Sequence, residues 1–173
     1  MQRVLGPLAR RVALMVGRAV LRMVDDQPGI QSVQVEALAG ELRDQVERFQ
    51  EYGFTSVPLP GAEAAAIAVG GSRDHLVVVA VDDRRYRPTG LLPGEVAIYT
   101  NEGVLIRLKQ GGQVLVQAAT KVRIECPLVE LTGDLHVAGQ VVAQGDVFGQ
   151  GTSLHTHVHG GVQSGSSNTG EPA

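Results

Sequence analysis

A mainly β chain is expected here: a short N-terminal helical arm, a small barrel, and then an intertwined trimeric, triple-stranded β-helix. Three observations carry this. From Val129 to Val147 the odd positions are apolar or glycine (Leu131, Leu135, Val137, Val141), while most even positions are polar (Glu130, Asp134, His136, Gln140, Gln144), the period of β-structure with one wet face. Glycine recurs at 133, 139 and 145, a six-residue spacing typical of short β-helix repeats. The composition favours thin repetitive packing over one large core, with 22 Gly, no Trp and only 3% aromatics against 43% hydrophobic residues overall.

Residues 1–29 read as an amphipathic docking arm. Leu5, Leu8, Val12, Met15, Val16, Ala19, Val20 and Met23 fall on one helical stripe, and Arg3, Arg10, Arg11, Arg18 and Arg22 decorate the helix. Asp25-Asp26-Gln27-Pro28-Gly29 then stops it. A basic amphipathic helix also suits a membrane surface or a targeting peptide. Running straight into a folded domain favours docking on a partner subunit. No apolar run reaches transmembrane length, and no signal-peptide pattern is present.

Residues 30–118 are expected to fold as a barrel of the oligonucleotide/oligosaccharide-binding type. Candidate strands are Gln31–Ala37, Gln45–Gln50, Ala64–Val69, Leu76–Val81, Glu95–Thr100, Val104–Lys109 and Gln113–Ala118, with glycine turns at 101–103 and 110–112. The candidate strands hold few aromatics, Phe49 and Tyr99 among them, and the net charge is −3. No nucleic-acid partner is therefore expected, and a structural platform fits better. The charged run Asp82–Arg87 reads as a solvated face. The single cysteine, Cys126, has no partner for an internal disulfide.

Residues 119–150 form the expected β-helix spike. A strand this long, with no hairpin inside it, leaves its backbone N–H and C=O groups unpaired unless other copies of the chain pair with it. Three copies around one axis satisfy those groups and bury the odd positions in a narrow shared core.

Residues 151–173 are the expected apex and a polar C-terminal tail. His155, His157 and His159 alternate, so in an extended strand they share one face. If the spike's register survives past Gly149 and Gly151, that face is the inner one. Two imidazoles from each of three chains supply six nitrogens, an octahedron that suits iron, cobalt or nickel better than zinc. With every position filled by protein, such a site is structural. His136 lies on the outer register and His75 in a loop, so neither is given a role. Gly145–Thr152 has a loose likeness to a phosphate loop, but it lacks the lysine and a following helix. No nucleophile, zinc-protease or Cys-x-x-Cys motif occurs, and no catalytic residue is expected.

The segments F-Q-E-Y-G-F-T-S-V-P-L-P-G-A-E-A (Phe49–Ala64), G-G-S-R-D-H (Gly70–His75), D-D-R-R-Y-R (Asp82–Arg87) and P-G-E-V-A-I-Y (Pro93–Tyr99) together resemble the Mu-type phage baseplate assembly protein V, the central spike of contractile tails. So do L-T-G-D-L through G-D-V (Leu131–Val147) and H-V-H-G-G-V-Q-S-G (His157–Gly165), and the likeness spans nearly the whole chain. The resemblance implies a homotrimer at the virion's tail baseplate tip, assembled in the host cytoplasm. It is implied to bind tail hub and baseplate proteins and to contact the host outer membrane on piercing. It also implies an H-x-H motif from each chain holding iron at the trimer axis. His157 and His159 match that motif best, because Gly160-Gly161-Val162 follows. His155 leaves the pair His155/His157 open as an alternative. Relatives also hold calcium or chloride near the tip, and this sequence shows no decisive ligand set for either. The competing expectation is a trimeric receptor-binding or polysaccharide-degrading tail fibre.

Overall fold

A computed structural model describes residues 12, 15–38, 40–158, 160, 161 and 165. Strands β1 (Val16–Asp25), β2 (Gln31–Leu38), β3 (Glu41–Arg48), β4 (Glu63–Ala68) and β5 (Leu76–Asp82) close a barrel in the order β1-β2-β3-β5-β4. Every pair is antiparallel except β3–β5, which runs parallel with Glu47 opposite Val77 and Arg48 opposite Val78. Five strands closed in this way fit the oligonucleotide/oligosaccharide-binding type of barrel.

β1 corrects the expectation of a helical arm over residues 1–29. Residues 16–25 are strand; residues 1–11, 13 and 14, and the part of the arm expected there, lie outside the described residues. Two residues on the expected helical stripe, Val16 and Met23, are 68% and 57% exposed, whereas Leu21, which lies off that stripe, is fully buried. The cause is pairing on both edges. Val16–Val20 ladder onto β4 and Val20–Asp25 onto β2, with a bulge between Leu21 and Met23 that shifts the register. Ladder bonds on two sides, together with burial of Ala19 and Leu21, outweigh a local helical pattern that is only a weak preference.

The barrel interior is narrow and filled by one leucine and by valines and alanines: Leu21, Val33, Val35, Val46, Ala64, Ala66 and Val78. On β4 alanines 64, 66 and 68 point inward in strict alternation, and their size lets the strands curve tightly. At the end of β3 a buried Arg48 pins the following loop. Its guanidinium donates to Gln31 Oε1 (2.6 Å), the Ser56 carbonyl (2.7 Å) and Ser56 Oγ (2.9 Å). Gln31 in turn donates to Asp26 Oδ1 (2.6 Å) and the same Ser56 carbonyl (3.0 Å). Burial lowers the Arg48 pKa, with the nearby Asp26 charge opposing that shift.

β6 (Val96–Tyr99), β7 (Leu105–Lys109) and β8 (Gln113–Gln117) lie outside the barrel, as a separate antiparallel meander. The sequence places these three candidate strands within the barrel; closure by β1 takes the edge positions they would have needed. On one face the cross-strand rows are Val96–Leu108–Val114 and Ile98–Ile106–Val116. All six side chains are exposed. Arg107 faces the other way, where it pairs with Glu95.

Residues from Ile124 onward form a second compact unit. Among the described residues no strand lies between Gln117 and Phe148, and the chain instead bends at 126–127, 132–133, 138–139 and 144–145. The corners fall on Gly133, Gly139 and Gly145, as the six-residue spacing implied. The ladders of a β-helix do not form within the single chain. Val122, Ile124, Leu128, Leu131, Leu135, Val141 and Val142 are all 60% or more exposed.

Candidate metal-binding apex

The apex begins with a hairpin. β9 (Phe148–Gly149) pairs with β10 (Thr152–Ser153) across a two-residue turn, Gln150 (φ 50°) and Gly151 (φ 80°). Left-handed backbone at both central residues matches the twist of a tight hairpin, and Gly151 adopts it without a Cβ penalty. The Leu154 N–H closes the hairpin on the Val147 carbonyl at 2.9 Å.

Asp146 ties the hairpin to the turn beyond it. Its Oδ1 accepts the backbone N–H groups of Val147 (2.8 Å) and His155 (3.1 Å), and its Oδ2 accepts the Ser153 hydroxyl. Chiefly through the Ser153 bond, and against the cost of desolvation, these donors hold the Asp146 carboxyl below its ordinary value of 3.8. Ser153 Oγ is also within 2.9 Å of Thr156 N and of Thr156 Oγ1, and the Ser153 carbonyl accepts the His157 N–H at 3.2 Å.

The condition for a shared inner face, a register that survives past Gly149 and Gly151, is not met over residues 149–157. The chain reverses at Gln150-Gly151 and turns again over residues 154–156. His155 therefore sits in a turn, tied through its backbone, and does not continue a strand face. His157 follows the turn, and its Nδ1 lies 3.2 Å from the Leu154 carbonyl. A carbonyl can only accept, so the neutral ring carries its proton on Nδ1 and its lone pair on Nε2. A backbone carbonyl holding one ring nitrogen is the usual support for a histidine that ligates through the other. His159 lies outside the described residues. Among the described residues no group of three or more His, Cys, Asp or Glu side chains converges within the one chain.

Asp146 and Ser153 escaped the sequence reading. The usable signal was Phe148-Gly149-Gln150-Gly151-Thr152-Ser153, a two-residue turn ending in glycine between short extended pairs. It accounts for the run that superficially resembled a phosphate loop.

Comparison with known proteins decides the family. The model described as Bacteriophage Mu Gp45, N-terminal, matches residues 18–85, beginning inside β1 and taking in the remaining barrel strands. The GpV Apex motif matches residues 151–173, beginning at the hairpin's glycine. The baseplate puncturing device gp45 of Escherichia phage Mu is 39% identical over 95% of this chain and 93% of its own length. The chain belongs to the Mu gp45 family. A second gp45 relative, the Mu-like prophage FluMu protein of Haemophilus influenzae, is 36% identical over 91% of this chain and 92% of its own. The Mu gp45 relative is named for puncturing by the baseplate, a mechanical task, in agreement with the expectation of a non-enzymatic protein. The name of the Mu relative places that protein in a phage baseplate.

Proposed function

We propose that the chain is the central spike of a contractile-tail baseplate: a homotrimer that punctures the host outer envelope when the sheath contracts, its tip cross-linked by histidine-bound iron. The observation that carries this reading is the stretch from Val122 to Val147. It bends at each six-residue glycine, buries none of its large apolar side chains, and forms no strand ladder of its own. An exposed apolar surface on that scale marks a protein–protein interface. Three copies supply for one another the backbone partners and the core that each lacks. The apolar face of β6–β8 supports the same assembly, because six exposed aliphatic side chains in two cross-strand rows need a covering surface.

The residues fit a metal at the apex. His157 has its Nδ1 on the Leu154 carbonyl, and His159 is its H-x-H partner in sequence. Two imidazoles from each of three chains give the six nitrogens of an octahedral iron site. When bound, the ion contributes a cross-link where the shared core is thinnest. The protein's part is to hold the imidazoles and to drive the point through the membrane.

Replacing both His157 and His159 by alanine tests the site. Purified double variant should carry no iron by elemental analysis and show a frayed tip, with the barrel's circular dichroism unchanged. Iron retained at wild-type stoichiometry contradicts the assignment.

A further inference from the structure

We infer that Asp146 is the positioning residue of the apex, building the turn that presents His157 to its ligand. The inference deepens the proposed iron-bearing apex and rests on that reading for its ligand. Asp146 precedes the apex-motif match, which begins at residue 151, and lies outside both matched family segments. Its carboxylate nevertheless reaches across the hairpin to residues seven and nine positions on, Ser153 and His155.

The links run in series. Asp146 fixes the Ser153 hydroxyl and the His155 N–H. Ser153 Oγ then accepts the Thr156 N–H, and the Ser153 carbonyl accepts the His157 N–H. Those bonds close the turn over residues 154–156 and bring the Leu154 carbonyl to His157 Nδ1. Without the carboxylate, the His155 N–H and the Ser153 hydroxyl lose their common acceptor. The carbonyl that sets the His157 tautomer then loses its fixed place. An outer group that orients a ligating imidazole typically changes metal affinity by ~10–100-fold when removed.

The test uses the full-length protein with Asp146→Ala, Ser153→Ala and Ser153→Thr, since threonine keeps the hydroxyl. Amide hydrogen exchange at His155 reads the turn directly, and titration with ferrous iron against a chelator reads the ligand. The expected result for Asp146→Ala is faster exchange at His155 and ~10–100-fold weaker iron binding. Ser153→Ala should shift both in the same direction, and Ser153→Thr should restore both. Unchanged exchange at His155 in Asp146→Ala overturns the inference, as does faster exchange with unaltered iron affinity. If the wild-type protein takes up no ferrous iron, the proposed metal function falls. The exchange measurement then decides alone whether Asp146 builds the turn.

Discussion

The Glu95 carboxyl is held well below the usual carboxylate range. Its side chain is only 2% exposed. It accepts the Arg107 guanidinium on one oxygen and the N–H groups of Leu92 (3.0 Å) and Gln110 (3.3 Å), so that one carboxylate ties the loop before β6 to β7 and to the start of the β7–β8 turn. The Arg107 bond is the main reason that its pKa falls from 4.5 to about 2. A carboxyl depressed on folding contributes its stability in full above the unfolded value and loses it as pH falls through the folded one. The Tm advantage of wild type over Glu95→Gln should therefore be full at neutral pH and shrink between about 4.5 and about 2. An advantage that stays constant across that window contradicts the assignment. Arg48→Ala leaves the buried Gln31 and the Ser56 carbonyl short of a donor, and should cost roughly 1–3 kcal/mol in denaturant unfolding. Gly61 has φ 91° and donates its N–H to the Leu21 carbonyl at 2.8 Å. A Cβ there would lie 3.1 Å from the Arg85 guanidinium, which is itself held by Asp83 and the Pro60 carbonyl. Gly61→Ala should lose about 1–2 kcal/mol by the same measurement.

Among the elements, β1 is where sequence and structure part. The expected helical arm puts Met23 on its apolar docking face and leaves Leu21 off it, and the strand reverses them. Leu21→Ala should cost about 2–5 kcal/mol, while Met23→Ala, at an exposed position, should stay within about 0.5 kcal/mol. Equal costs would return β1 to the helical reading. β4, β6 and β7 were legible because each is short and runs into a glycine turn, β4 with its inward alanines in strict alternation; of β3 only the part from Gln45 onward was expected, since the left-handed Gln45 (φ 56°) interrupts its alternation. β1 was not, because a bulge breaks its alternation and it changes partners half-way along. That left its valines and arginines at spacings that also suit a helix. Which strands close the barrel was equally hidden, since closure depends on pairing between residues far apart, such as Val20 with Glu63. At the apex the alternating histidines stood out as candidate ligands by residue type alone. The turn that separates His155 from His157 was not, because it depends on Asp146 hydrogen-bonding across a reversal that leaves no periodic mark.

At the scale of the whole molecule, a chain that leaves the apolar face of β6–β8 and the bending stretch beyond it uncovered reads as one part of an assembly. The six-residue glycine spacing and the corners at Gly133, Gly139 and Gly145 agree with each other, and the proposed pairing between copies builds on both. Substituting Leu131 and Leu135 together by serine should weaken association and leave the barrel folded, read by sedimentation and by circular dichroism. Native mass spectrometry of the intact protein is the sharpest check on a shared, metal-pinned spike, because it weighs the assembly and its metal at once. Three chains carrying one iron ion are expected; single chains without metal would refute the trimeric spike.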